Sequence, residues 1–317
     1  MKPILCNYYI TYRCNARCIF CDFWKKRRYR EMADSSLEDV SNNLPQLKKI
    51  GVKFIDFTGG EPLLHPDLAD MLKLAKMHRF YTSVTTNCLL YPERAKELKG
   101  LIDLLHFSLD SMDEQENDRI RGQGLFASVM RSIEMAKSLG ERPDLLFTAT
   151  SSNFLAIDDL ARFAQKQKLM LIVNPVFKYS DQTSITIDAL DYLERVGRQK
   201  YVYMNRALHQ LIRHGGNNRS LPRCRAISSA IVISPQNTLL LPCFHHAQLA
   251  IPIQNHLVEI IQSHAYQRIK RQQGTFPFCQ GCTINCYFDP SFLYELDRYF
   301  WLSLFSKAKY AMDKYLG

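Results

Sequence analysis

No apolar run in this chain is long enough to span a bilayer, and no secretory signal opens it. The start, Met1-Lys2-Pro3-Ile4-Leu5-Cys6, passes straight into a strand-like stretch. A cytoplasmic location is therefore the expectation. Internal repeats and low-complexity tracts are lacking too, and a hydrophobic content of 46% with 23% charged residues describes an ordinary globular protein. Acidic residues are in short supply: 31 Asp and Glu stand against 41 Lys and Arg, a net charge of +10. Such an excess suits nucleic acid, a membrane surface or an anionic substrate. Aromatic and basic residues are not interleaved in a nucleic-acid motif, which argues against the first. Part of the excess is the run Lys25-Lys26-Arg27-Arg28-Tyr29-Arg30, read as a solvated loop.

Cysteine, by contrast, is abundant. Ten occur, and without a targeting segment metal binding is a better reading than disulfides. Eight fall into two groups: Cys14, Cys18 and Cys21 near the start, and Cys224, Cys243, Cys279, Cys282 and Cys286 near the end. Between them, short apolar runs alternate with helix-length amphipathic segments to about residue 215. Strands are expected at Ile4–Ile10, Lys53–Phe57, Tyr81–Thr85, Leu104–Leu109, Leu145–Thr150 and Met170–Val176, with helices near 36–50, 66–79, 91–100, 124–139 and 155–168. Alternation of this kind implies an α/β fold with a parallel sheet, open or curved into a partial barrel. Beyond it, His214-Gly215-Gly216-Asn217-Asn218 reads as a linker. Residues 231–241 read as a hairpin turning at Asn237, a helix follows near 256–271, and an aromatic helix runs from Phe292 to Leu316.

Cys14-Asn-Ala-Arg-Cys18-Ile-Phe-Cys21 sits in the loop after the first strand. Zinc sites usually bring four ligands, and here the local count stops at three. Three thiolates on an iron–sulfur cubane leave one iron open to a substrate. The second strand is followed by Thr58-Gly59-Gly60-Glu61-Pro62, and the third ends in Thr85-Thr86-Asn87. The fourth ends in Ser108-Leu109-Asp110, followed by Asp118-Arg119-Ile120-Arg121. This set, with Phe20 before the last cysteine of CxxxCxxC, closely resembles the radical S-adenosylmethionine (SAM) superfamily. One departure is Cys88, which stands where the family commonly has a glycine after Thr-Asn.

The resemblance implies a partial (β/α)6 barrel over residues 1–215 and a [4Fe-4S] cluster on Cys14, Cys18 and Cys21 whose open iron chelates SAM. Reductive cleavage of SAM would then yield methionine and a 5′-deoxyadenosyl radical that abstracts a substrate hydrogen. Gly59 and Gly60 would allow close backbone approach, and Glu61 would receive the SAM ammonium. Ser108 would meet the ribose, and Arg121, with its planar donor fork, the carboxylate. Phe20, Asn87 and Asp110 are counted with these cofactor-binding residues. Asn153 and Pro175 sit at the ends of strands five and six, where a ligand site would lie.

Residues 216–290 resemble, more loosely, the auxiliary-cluster domain of the SPASM/twitch subgroup. One further [4Fe-4S] cluster is expected on Cys224, Cys243, Cys279 and Cys282, with Cys286 spare or replacing one of them. A structural zinc at these thiolates is the alternative. His245 and His246, next to Cys243, are read as surface or hydrogen-bonded histidines. The substrate is expected to be a peptide, a lipid-like molecule or a tetrapyrrole-like one. A small-metabolite dehydrogenase or carbon–carbon bond-forming enzyme is the second reading, and a Cys-rich zinc protein binding nucleic acid a third. A flavodoxin or ferredoxin is the electron donor the family implies. With 13 residues before Cys14, no fused N-terminal peptide-recognition domain is expected. The final helix, residues 291–317, has a basic fringe; it would lie on a membrane, present a groove to a hydrophobic substrate, or pack as core.

Overall fold

Strands in which every second side chain is apolar bury one face under helices and turn the other toward the opposite wall. This describes β1 (Leu5–Thr11), β2 (Phe54–Gly59), β3 (Tyr81–Thr86), β4 (Leu104–Ser108), β5 (Asp144–Ala149) and β6 (Leu171–Pro175). The computed structural model describes residues 2–122, 124–177 and 185–316. Cys6, Tyr8, Ile10, Ile55, Phe57, Val84, Phe107, Phe147 and Val173 lie in one continuous core with the helices. The helices Leu37–Ile50, Leu68–Met77, Tyr91–Leu98, Leu125–Ser138 and Ile157–Gln167 match the five expected segments to within a few residues. In the first, Val40, Leu44 and Leu47 recur at helical spacing, Ser36 caps the start by accepting from the Asp39 N–H, and Gly51 ends it at φ 106°.

The sheet runs β10-β9-β8-β1-β2-β3-β4-β5-β6-β7, where β7 is Val202–Tyr203, β8 Ala230–Ile233, β9 Thr238–Leu241 and β10 Leu249–Pro252. β8 and β1 to β7 are parallel, so the barrel is open between β7 and the β9–β10 edge. The expected hairpin forms, with Asn237 at φ 52°. It does not stand apart from the barrel, because β8 pairs with β1 through Ala230, Ile231, Val232 and Ile233.

Three local expectations are corrected. Residues 214–218 are no free linker: Asn217 is wholly buried and, as shown below, ties two cysteine segments together. The single helix near 256–271 is two, Leu257–Gln262 and His264–Arg271, because the Ser263 hydroxyl accepts from the Tyr266 N–H and starts the second afresh. The terminal helix spans Arg298–Tyr315 rather than beginning at Phe292, since Asp297 caps it by accepting from the Phe300 N–H. Residues Asn285–Ser291 form a separate short helix.

Candidate functional site

The Cys14–Cys21 loop leaves the C-terminal end of β1 and is fastened on two sides. On one, Gly60 N–H donates to Thr11 O at 2.9 Å and Glu61 N–H to Arg13 O at 2.8 Å. On the other, Arg17 and Ile19 N–H donate to the carbonyls of Arg121 and Ile120 at 3.1 and 2.9 Å. The glycines serve this fastening: a Cβ on Gly59 would sit 1.9 Å from Thr11 O, and one on Gly60 2.1 Å from Arg13 O. A side chain at either position would thus collide with the backbone of the chain's own cysteine loop. Trp24 Nε1 donates to Cys18 O at 2.9 Å and closes the loop's far end.

The Glu61 carboxylate is held by the chain around it. Its carboxylate, 2% exposed, accepts from the Leu63 N–H, the Thr86 hydroxyl and the Asn87 N–H at 3.1, 2.8 and 2.8 Å. It therefore brackets the ends of β2 and β3, and burial pushes its pKa up to about 7 against those three donors. Asn87 reaches the loop by donating from Nδ2 to Asn15 Oδ1 at 2.7 Å. Cys88 is buried at φ 73°, a left-handed conformation that explains why glycine suits this position.

Asp110 and Arg121 form a buried ion pair, Nε to Oδ2 at 2.7 Å. The second Asp110 oxygen accepts from the Thr148 N–H at 2.8 Å. The guanidinium lies 5.5 Å from the Phe20 ring centroid and close enough to Cys18 to offset part of the rise that burial gives its thiol. Its two terminal amino groups make no hydrogen bond among the described residues, so a donor fork remains free for an anion. Ser108 is buried beside this pair on β4. Asn153 is committed elsewhere: it braces its own loop through Thr148 O and the Thr150 N–H. Pro175 closes β6 opposite Ala149.

Burial raises all three loop thiols, Cys14 to about 12 and Cys18 to about 11, and each is further influenced by a neighbouring cysteine or carboxylate. Thiolates here therefore require a positive group among them. Backbone N–H groups of Ala16 and Phe23 point at Cys14 and Cys21. Among the described residues no three His, Cys, Asp or Glu side chains converge at the spacing of a single ion.

The late cysteines separate four from one. Cys224, Cys243, Cys279 and Cys282 line one small, mostly apolar cavity with His246, Phe278 and Tyr287. Burial raises the four, Cys243 to about 12 and Cys282 to about 11, and Cys224, Cys243 and Cys282 are raised further by neighbouring cysteines. Backbone N–H groups of Ala226, His246 and Ile284 aim at three of the sulfurs. Asn217 was missed from sequence, yet it assembles the site: Oδ1 accepts from Arg223 and Cys224 N–H, while Nδ2 donates to the carbonyls of Gly274 and Cys279. Its signal was the neighbouring Gly216, whose Cβ would meet Gly281 O at 2.4 Å. Cys286 does not line that cavity. It is open to solvent yet deep, and burial, then the Asp56 carboxylate, pushes its thiol up to about 11.

His245 is not a surface histidine. It packs edge-on against Phe177, Phe244 and Tyr287, and burial pulls its pKa down to about 3. His246 stacks on Phe278 at the cavity wall. An aromatic cluster joins the two cysteine groups: Phe244 stacks on Tyr9 at 4.1 Å and on Phe23 at 5.4 Å.

Below the cysteine loop the strands' inner face is polar. Asn7, Asp56 and Ser83 are in register on β1, β2 and β3, and the Ser83 hydroxyl donates to Asp56 Oδ1 at 2.5 Å. Burial raises Asp56 to about 6. Asn7 is 6% exposed, and its Nδ2 has no partner among the described residues. Asn285 Nδ2 donates to Asn174 Oδ1 at 2.8 Å, bringing the Asn285–Ser291 helix to the same interior.

A thiol triad, a Gly-Gly-Glu turn bolted to it and a buried arginine beside it, at the C-terminal ends of parallel strands, define a SAM-dependent radical enzyme. The sequence profile of the radical SAM superfamily matches residues 8–164, and the chain belongs to that superfamily. Its cofactors are a [4Fe-4S] cluster and SAM. The mycofactocin maturase MftC of Mycobacterium ulcerans is 28% identical over 169 residues, covering 52% of this chain and 45% of the relative. A probable GTP 3′,8-cyclase of Methanococcus maripaludis is 32% identical over 152 residues, covering 47% and 48%. The chain thus spans about half the length of these curated relatives. Among solved structures, anSMEcpe with AdoMet bound superposes with a TM-score of 0.68 at 16% identity, covering 98% of this chain and 97% of that one. SuiB of Streptococcus suis bound to its precursor peptide SuiA gives 0.66 at 20%, covering 89% and 70%. These two share the fold.

Proposed function

We propose that this chain uses a cluster on Cys14, Cys18 and Cys21 to cleave SAM reductively and abstract a hydrogen atom from a peptide. When bound, the cluster supplies the electron that breaks the sulfonium carbon–sulfur bond. The chain's own residues do the rest. Arg121, oriented by Asp110, offers its free fork to the methionyl carboxylate. Ser108 and Asn87 face the nucleoside end, and Glu61 keeps the β2 and β3 ends at fixed separation. Cys224, Cys243, Cys279 and Cys282 hold one auxiliary [4Fe-4S] cluster, and residues 216–290 act as its housing.

The observation that carries the reading is the double fastening of the Cys14–Cys21 loop, to the Gly-Gly-Glu turn and to the backbone of Arg121. One folded unit thereby holds both the thiols and the expected SAM contacts. Peptide as substrate is supported by the barrel interior: among the described residues Asn7 Nδ2 has no partner and Asp56 accepts one side-chain hydrogen bond, from Ser83 at Oδ1, a pairing that suits a C=O and N–H of a backbone amide. SuiB and anSMEcpe have been solved with peptides bound. A small-metabolite reaction is the second reading, favoured by the likeness of the barrel half to GTP 3′,8-cyclases. A flavodoxin- or ferredoxin-type protein is the electron donor in either case. Anaerobic protein given SAM and dithionite should form 5′-deoxyadenosine, and Cys18→Ala should abolish it; a normal yield from that variant refutes the assignment.

A further inference from the structure

The terminal helix Arg298–Tyr315 turns its polar side inward. Ser303 Oγ accepts from Asn205 Nδ2 at 3.3 Å, and Ser306 Oγ from the Arg206 N–H at 3.1 Å. Lys309 Nζ donates to the carbonyls of Gln199 and Val202 at 2.8 and 2.9 Å, and Lys314 is buried against Asp144. These contacts fix the rotation of the helix about its axis. The apolar side is left outside: Trp301, Phe305, Met312 and Tyr315 are 51, 63, 61 and 64% exposed, at spacings of three, four and seven that keep them on one face. The ordinary arrangement is the reverse, so this face is built for a partner.

Its surroundings say which. No carboxylate of the helix is exposed; Asp313 is paired with Lys309 and Asp297 with Arg223. Arg298 lies one turn before Trp301 on the same face and is exposed. Beside Phe305 a cavity of about 140 Å³ is walled by Met204 and Tyr203 and carries Arg198 and Arg206. Neither of those guanidinium groups makes a hydrogen bond among the described residues. The cavity's one carboxylate, Glu194, is held by Arg213 at 3.2 Å. Two copies meeting through this face would set arginine against arginine, whereas an anionic sheet complements all of it.

We propose that this face docks the protein on an anionic phospholipid surface. The aromatic side chains enter the boundary between headgroups and acyl chains, and a lipid phosphate seats between Arg198 and Arg206. The helix lies on the surface; among the described residues no helix is long and apolar enough to cross one. This site is on the outside of the barrel and does not depend on the catalytic reading above.

The test is sedimentation of the full chain, cofactors loaded, with vesicles of phosphatidylcholine alone or mixed with phosphatidylglycerol. Binding to the mixed vesicles is expected, reversed by salt. Trp301→Ser with Phe305→Ser should weaken it about tenfold or more, and Arg198→Gln or Arg206→Gln about fivefold each. SAM cleavage should be unchanged in all of them, which also shows that they fold. Quenching of tryptophan emission by spin-labelled lipid gives the same reading when the quenched component is missing from Trp301→Ser, which leaves Trp24 as the other emitter. No binding to mixed vesicles, or equal binding to both kinds, overturns the proposal. So does a concentration-dependent dimer that Trp301→Ser dissociates, since a second copy then covers the face.

Discussion

Replacing Lys314 with Met removes the cation from a pair that anchors the terminal helix to the foot of β5. Lys314 is 7% exposed and Asp144 1%, with Nζ at 2.8 and 2.9 Å from the two carboxylate oxygens. At that distance the attraction is about 6 kcal/mol for an effective dielectric of about 20. In the folded protein it is offset by the cost of taking both charges out of water. Removing only the lysine forfeits the attraction and keeps the desolvated carboxylate, so a loss of about 3–5 kcal/mol is expected. Tyr310 still donates to Asp144 at 2.5 Å, which keeps the figure from rising further. In the native protein His106, 3.7 Å from Asp144, is held below its ordinary pKa by burial, against Asp144 and with Lys314, so it adds no charge to the pair near pH 7. Urea unfolding of the metal-free chain measures the loss, and hydrogen exchange over residues 298–316 locates it. The double variant Lys314→Met/Asp144→Asn should recover about 1–3 kcal/mol of it, as coupled neighbours do. A loss under about 1 kcal/mol with unchanged exchange would refute the claim that polar contacts, rather than the helix's apolar side, hold it in place.

Three further outcomes are expected. Cys282→Ala should lower anaerobic iron content from about eight to about four per chain while Cys286→Ala leaves about eight, and the reverse pattern would exchange the roles of these two cysteines. Gly60→Ala places a Cβ 2.1 Å from Arg13 O; the loop must shift at a cost of about 1–3 kcal/mol. The variant should lose the N-terminal cluster's iron and keep the other's, so full iron with unaltered stability would count against the fastening. Asp56 carries a pKa of about 6 in the fold against an ordinary 3.8, so the native state holds a proton that the unfolded chain has released in that window. Stability of the metal-free chain should therefore fall as pH rises from about 4 to about 6, by up to about 3 kcal/mol, and Asp56→Asn should flatten that slope. Parallel curves for the two proteins would remove Asp56 from the account.

Much of the site was legible because its chemistry is local. CxxxCxxC, Gly-Gly-Glu-Pro and Ser-Leu-Asp each occupy one loop, and strand-and-helix alternation places those loops at one end of a parallel sheet. Side-chain commitments were not legible. Nothing in the spacing shows that Glu61 spends its oxygens on Leu63, Thr86 and Asn87, or that Asn153 braces its own turn, since a carboxylate or amide takes whichever donors the fold brings first. The break at Ser263 and the late start at Arg298 were hidden similarly: apolar residues continue at helical spacing across both, and one capping oxygen decides where the chain turns.

By itself, then, the sequence determined the six strands up to β6 and their parallel alternation with helices, the two cysteine groups and the superfamily, because each depends on residue type and near spacing. Only the tertiary structure decided that β8 joins β1, that Asn217 ties the Cys224 segment to the Cys279–Cys282 segment, that Cys243 joins them at one cavity while Cys286 lies nearer Asp56, and that the last helix shows its aromatic side to solvent. Those results rest on contacts between segments far apart in the chain, and a helix that is amphipathic in sequence does not reveal which of its sides the barrel will claim. Here the barrel offers Asp144, Asn205 and the open carbonyls of Gln199 and Val202, polar groups that burial would otherwise leave unsatisfied, and they claim the polar side.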